Sequence, residues 1–196
     1  DKQVDRGCRS VAVREHSPVS STEQKAVGAL LGMMAGDSIG LPFENMSARR
    51  VGAMLSRGTL GHRLLWRWGM VSDDTEHAVM TVAAWSRGSH DVERFRRRLA
   101  WSLRAWMLCI PAATGMATAR AAIKLLLGCS PVRSGVNSAG NGPLMRSLML
   151  GVLCPSVDAL REFVHASTIM THTDERALHG ALAIALFLAV QAEKIV

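Results

Sequence analysis

The chain has 196 residues, 48% of them hydrophobic, which suits one domain with a sizeable core and excludes an intrinsically disordered protein. Lys and Arg outnumber Asp and Glu by 23 to 16, and the resulting +7 favours an anionic ligand or partner without identifying one. Four cysteines, at 8, 109, 129 and 154, lack metal-ligand or redox spacing and have mostly apolar neighbours, so buried reduced thiols in a cytoplasmic protein are expected.

Residues 1–21 are polar and charged, with no periodicity and no hydrophobic core of a signal peptide. A disordered or loosely held tail is expected there, with one domain over 22–196. Ser20, Ser21, Thr22, Glu23 and Gln24 offer the makings of a capping box. Val27, Leu30, Leu31 and Met34 then recur at helical spacing. Gly28, Gly32 and Gly36, with Ala29 and Ala35, permit close packing of this helix on a neighbour, and Pro42 ends it. A short helix or turn covers 47–55. A loop carrying Trp66, Trp68 and Gly69 covers 58–69, and a helix with Ala78, Val79, Val82 and Ala83 covers 74–86.

An amphipathic helix follows over 91–109. Phe95, Leu99, Leu103 and Trp106 line one side, and Arg94, Arg96, Arg97, Arg98 and Arg104 mostly project elsewhere. Pro111 breaks it. The next helix, 114–127, closes at Gly128. A Ser/Gly/Asn loop over 130–140 leads through Pro143 into a helix over 144–153. Ser156 caps a helix reaching 170, and Thr173 or Asp174 caps the last one. The most apolar run, 180–190, is too short to cross a bilayer, so no membrane partner is expected. No segment alternates apolar and polar residues long enough for a strand. The expected class is all-α, a compact multi-helix orthogonal bundle with its polar motifs at helix ends.

Those polar motifs carry the chemistry. Ser72-Asp73-Asp74-Thr75, with Glu76 behind, precedes a helix. One reading is an N-cap, since Ser and Asp accept bonds from free N–H groups and negative charge suits the helix dipole. One Asp suffices for a cap. Two carboxylates between two hydroxyls also form a cluster for a hard cation such as Mg²⁺ or Mn²⁺. Three Gly-bearing segments, 36–40, 112–115 and 138–142, either present N–H groups suited to phosphate or make tight turns and close helix contacts. Beside the acidic cluster, they suggest a crevice for a diphosphate.

Taken in order, Gly36-Asp37-Ser38-Ile39-Gly40-Leu41-Pro42-Phe43-Glu44, Ser72-Asp73-Asp74-Thr75, Gly115-Met116-Ala117-Thr118, Gly140-Asn141-Gly142-Pro143-Leu144-Met145-Arg146 and Thr171-His172-Thr173-Asp174 resemble the ADP-ribosylglycohydrolase family, of the dinitrogenase reductase-activating type. The resemblance covers about 27–190 and implies that family's helical fold and a crevice where ADP-ribose lies against two Mg²⁺ or Mn²⁺ ions. It implies that Glu44, Ser72, Asp73 and Asp74 reach the metal or its water, with Glu44, Asp73 and Asp74 as the catalytic set. It places Gly115, Thr118, Gly140, Asn141, Gly142 and His172 against the ligand. Thr118 and Gly115 can equally be a close-packed helix start, His172 a structural group and Arg146 a salt-bridge anchor. Glu44 can instead pair with Arg49 or Arg50. Asp37 is expected to be structural, bonding neighbouring loops.

The implied reaction is metal-dependent hydrolysis of the N-glycosidic bond between ADP-ribose and a protein side chain, arginine by preference, with Glu44 as base for the water. The partners are then an ADP-ribosylated protein or ADP-ribose itself. Relatives carry a Gly-Gly-Asp-Thr-Asp-Thr-like segment near the C-terminus that completes the metal site. This sequence has none, so 22–196 is expected to be an incomplete unit that is inactive as a hydrolase on its own. A second class is a non-catalytic ADP-ribose binder or an immunity-type protein opposing an ADP-ribosyltransferase. A nucleic-acid module built on the Arg-rich helix is disfavoured, because basic charge without a recognised motif reads as a solvated face.

Overall fold

The computed structural model describes residues 20–56, 58, 61, 68–87, 91–111 and 114–193. Residues 1–19 of the expected tail 1–21, Cys8 among them, Trp66, most of the loop 58–69, the start of the segment 112–115 and the last three residues lie outside them, while Ser20 and Ser21 of that tail instead cap and begin the first helix.

The chain forms eight α-helices among these residues. Helix α1, Ser21–Gly40, begins with the capping box: Ser20 N–H donates to Glu23 Oε2 at 2.8 Å, and Glu23 N–H donates to Ser20 Oγ at 3.2 Å. The expected Gly-rich loop at 36–40 is instead the end of α1, so most of its N–H groups lie inside the helix ladder and not open to a phosphate. Pro42 sits in the 3-10 turn Leu41–Phe43 that follows. Next come α2, Ala48–Leu55, and α3, Asp73–Ser86. Helix α4, Val92–Leu108, starts where the Asp91 carboxylate accepts from Arg94 N–H at 3.0 Å.

Helix α5, Met116–Leu126, stops before Gly128, whose φ of 87° is the left-handed C-cap conformation. Helix α6, Gly142–Leu153, holds Pro143 in its first turn. Helices α7, Val157–Ile169, and α8, Glu175–Gln191, are capped by Ser156 and Asp174. Among the described residues, strand-like pairing is confined to one isolated bridge between Val136 and His172.

The core gathers around α6, which packs most extensively on α8 and also meets α3, α1 and α7. Phe95, Leu99 and Leu103 of α4, Leu150 of α6 and Val164 of α7 are fully buried. Phe163 takes Trp85 and Phe95 edge-on, with ring centroids at 4.6 and 5.1 Å. The buried face of α8 is an alanine stripe, Ala177, Ala181, Ala185 and Ala189. Gly151 lets α6 approach it, since a Cβ there would stand 2.2 Å from the Ala185 carbonyl oxygen. Of the thiols, Cys154 is buried and pushed up to about 12 by burial, but Cys109 is exposed, which corrects the expectation for that cysteine.

The glycine stripe of α1 does not make the expected close contact. A Cβ at Gly28, Gly32 or Gly36 would meet nothing within 4 Å, and Val27 and Leu31 are more than half exposed. Ser38 alone of α1 is fully buried among the described residues. Among the described residues nothing packs on the stripe at Gly28, Gly32 or Gly36, so small residues bring it no close contact there. By length and composition α1 could cross a bilayer, yet its Asp37 is hydrogen-bonded into the fold.

The two kinds of glycine give opposite expectations. Gly151→Ala should destabilise the chain by about 1–3 kcal/mol, because backbone must move to admit the methyl group. Gly32→Ala should stabilise it by about 0.5–1 kcal/mol, since an open helical glycine gains propensity and meets nothing. Denaturant unfolding of both variants checks this; a loss at Gly32→Ala matching that at Gly151→Ala would contradict the packing.

Candidate functional site

The start of α3 is closed by a residue far away in sequence. Asp37, near the end of α1, accepts from Ser72 Oγ at 2.8 Å, Ser72 N–H at 2.8 Å, Thr75 N–H at 3.2 Å and Thr75 Oγ1 at 2.5 Å. Ser72 itself is the N-cap, its Oγ accepting from Asp74 N–H at 3.3 Å. Ser72 and Asp37 thus do the capping, and the carboxylates of Asp73 and Asp74 are left for something else. Asp37 has the structural role expected of it.

Those carboxylates crowd one another. Burial, then Asp74, raises Asp73 to about 6, with smaller contributions from Glu44 and Asp37. Asp74 is raised by burial and then by Asp37, and Glu44 by burial, Asp74 and Asp37. Glu44 is exposed and pairs with neither Arg49 nor Arg50 among the described residues. A set of hard oxygen donors that resist ionising together is chemically suited to a hard divalent cation. Among the described residues, no three carboxylate, thiol or imidazole groups converge tightly enough to make a ready-made cation site.

Facing the carboxylates is a crevice of about 410 Å³, lined among others by Glu44, Asp73, Asp74, Thr118, Asn141 and His172. A second hollow of about 550 Å³ runs beside it under α1 and shares Glu44, Asp74 and Asn141. Gly115 is the N-cap residue of α5, so the first turn of that helix opens into the crevice. Gly140 N–H donates to Ser138 Oγ at 3.2 Å. A Cβ on Gly140 would lie 3.0 Å from His172 Nε2; on Gly142 it would lie 2.8 Å from Thr118 Oγ1 and 3.0 Å from His172 Cε1. These glycines exist so that the loop can lie on the imidazole. Asn141, between them, occupies the N-cap position of α6 but makes no capping bond, and it is exposed. The structure therefore brings Glu44, Asp73, Asp74, Gly115, Thr118, Gly140, Asn141, Gly142 and His172 to one crevice. Ser72 stands just behind it in the cap.

Two residues escaped the reading of the sequence. Arg146 was expected to anchor its helix by a salt bridge, if anything. It is fully buried and makes no ion pair among the described residues. Its Nε donates to Ser167 Oγ at 3.0 Å, Nη1 to His77 Nδ1 at 3.0 Å, and Nη2 to the Ser167 carbonyl at 3.3 Å and to Thr171 Oγ1. His77 was not singled out. Its position one turn after Asp73, on the face that Ala78, Thr81 and Ala84 bury, was the available signal. Its ring stands edge-on to Trp106, centroids 4.5 Å apart, and its Nε2 is buried without a hydrogen-bond partner among the described residues.

An all-α bundle with an acidic helix start facing a Gly-Asn-Gly loop defines the class of protein: a helical domain with an acidic, glycine-walled ligand crevice. The sequence model of the ADP-ribosylglycohydrolase family matches residues 18–194, and the chain belongs to that family. It is also 27% identical, over 176 residues, to an uncharacterized protein of Archaeoglobus fulgidus. That match takes in 85% of this chain and 55% of the relative, so the chain spans about half the relative's length.

The raised Asp73 carboxyl has a stability consequence of definite sign. Folded Asp73 holds its proton up to about 6, against 3.8 for the free group. Its contribution is therefore fully present below 3.8 and is lost as pH rises through about 6. Without divalent cations, Asp73→Asn should gain stability relative to wild type between about pH 4 and pH 7, by at most about 3 kcal/mol. Thermal melts of both proteins across that range check it; parallel curves would remove the crowding.

Proposed function

We propose that the crevice binds ADP-ribose and that the site serves metal-dependent hydrolysis of the N-glycosidic bond joining ADP-ribose to a protein side chain, an arginine nitrogen in particular. The observation that carries this reading is that Glu44, Asp73 and Asp74 line one crevice together with Asn141 and His172. Membership of a family named for hydrolysing ADP-ribosyl linkages supports the class of reaction.

The parts divide the work. The opening of α5 and the Gly140–Gly142 loop offer N–H groups to a diphosphate. The carboxylate side takes the ribose, where the C–N bond breaks through a transition state with oxocarbenium character. Asp73, Asp74 and Glu44 would hold Mg²⁺ or Mn²⁺, joined by Ser72, whose oxygen keeps one lone pair after its cap bonds. A bound cation would offset the crowded negative charge and lower the pKa of a water. Glu44, exposed and with its pKa raised, would take one proton of the attacking water as its oxygen bonds the anomeric carbon and the C–N bond breaks, and would return that proton to the leaving arginine nitrogen.

Calorimetric titration with Mn²⁺ should show binding by wild type that Asp73→Ala and Asp74→Ala abolish, with circular dichroism unchanged. Unchanged affinity in both variants would end the ligand assignment. Asn141→Ala should weaken ADP-ribose binding by about 1–3 kcal/mol and leave the melting temperature in place, because its side chain caps nothing. Failure of the wild-type chain to bind ADP-ribose with Mn²⁺ present would overturn the reading. Release of free ADP-ribose from an arginine-ADP-ribosylated protein distinguishes hydrolysis from binding alone.

A further inference from the structure

A guanidinium can only donate hydrogen bonds, so every group Arg146 touches is compelled to accept. Thr171 Oγ1 is one of those groups. A hydroxyl has a single proton, and among the described residues the acceptor that Thr171 Oγ1 reaches is His172 Nδ1, at 2.9 Å. The direction of bonding then runs outward from Arg146 to Thr171 and from Thr171 to His172. An imidazole that accepts at Nδ1 and is neutral carries its proton on Nε2. That nitrogen lies on the ring edge against which Gly140 and Gly142 pack, at the wall of the crevice.

The alternatives conflict with the surroundings. Moving the proton to Nδ1 would leave the Thr171 hydroxyl without its acceptor, in a site where Thr171 is fully buried and His172 is 2% exposed. Protonating both nitrogens would set a cation beside Arg146. Burial and then the Arg146 charge push His172 down to about 4, in the same direction as the geometry.

We propose that the chain Arg146–Thr171–His172 fixes His172 as a neutral imidazole with its proton on Nε2, so that it serves the crevice as a permanent hydrogen-bond donor to an acceptor oxygen of the ligand and not as a general base. Arg146 and Thr171 are positioning residues that act through His172. The identity of the ligand rests on the ADP-ribose reading above; the tautomer does not.

The test is long-range ¹H–¹⁵N spectroscopy of the ligand-free, ¹⁵N-labelled chain at neutral pH, with His172→Gln used to assign the His172 signals among those of the 7 histidines. His172 Nδ1 is expected in the range of an unprotonated, accepting nitrogen and Nε2 in the N–H range. Thr171→Val should lose this fixed pattern in favour of averaged signals, and Thr171→Ser should restore it. A proton on Nδ1 in wild type, or averaging in wild type, overturns the proposal whether or not any variant folds. So does an unchanged pattern in a folded Thr171→Val. On adding ADP-ribose, the Nε2 signal should shift, and affinity should fall roughly tenfold in Thr171→Val and recover in Thr171→Ser. If wild type shows the fixed tautomer but does not bind ADP-ribose, the relay stands and the function proposed above falls.

Discussion

The structure depends on a positive charge placed where charge is costly. Arg146 projects from α6 into the centre of the bundle, and burial lowers its guanidinium only to about 10, so it remains a cation. An unpaired buried charge is tolerated only if its hydrogen bonds are made elsewhere. Here they go to neutral acceptors on three other segments: His77 on α3, Ser167 on α7, and Thr171 in the turn before α8. The Asp73 carboxylate supplies the favourable field without touching it. One side chain thereby fixes where α3, α6 and α7 stand relative to one another, and so where their ends open.

The site is a consequence of that arrangement. The starts of α3, α5 and α6 meet at one crevice, each with a different chemical character. At α3, Ser72 and the distant Asp37 do the capping, which leaves Asp73 and Asp74 pointing at the crevice with raised pKa values. At α5 the cap is Gly115, and at α6 the N-cap side chain makes no bond, so neither helix start is closed by its own cap side chain. Carboxylates and open helix starts therefore line the same crevice. The same Arg146 that bonds His77 of α3 also reaches the crevice residue His172, through Thr171.

Much of this was legible in the sequence, and the parts that were not share a cause. Helical periodicity, with Ser156 and Thr173 or Asp174 as caps, placed the helices, because local hydrogen bonds and an apolar stripe are properties of neighbouring residues. The crevice residues were legible as motifs. The role of Asp37 was only half legible: its two oxygens serve Ser72 and Thr75, more than thirty residues on. Arg146 read as the end of the Gly140–Met145 motif or as a salt-bridge anchor, because nothing near it in sequence shows that it is enclosed among neutral acceptors. The segment 36–40 was open between a phosphate-binding turn and a closely packed helix, because glycines four residues apart, Gly36 and Gly40, suit both. In the structure it is helix, held to the start of α3 by Asp37 and not by close approach at its glycines.

The remaining question is what holds the α1 wall of the crevice in place when so little of α1 is buried. Most of a helix's stability in a folded chain comes from tertiary attachment, and α1 buries little of its surface. Two attachments differ in kind. Near its start, Lys25 Nζ donates to the Ala192 carbonyl at 2.9 Å and pairs with Glu193, an exposed contact that salt and solvent weaken. Near its end, Asp37 takes four bonds from Ser72 and Thr75, each to a charged acceptor, a class that contributes about 1.5–3 kcal/mol per bond. The strongly held end is the one beside Glu44, Asp73 and Asp74. Fraying of α1 therefore begins at the far end, and the acidic wall keeps its shape because the helix is tied down at the point where the chemistry needs it. Asp37 is thereby committed to closing α3, its Oδ2 accepting three of the four bonds and its Oδ1 the fourth.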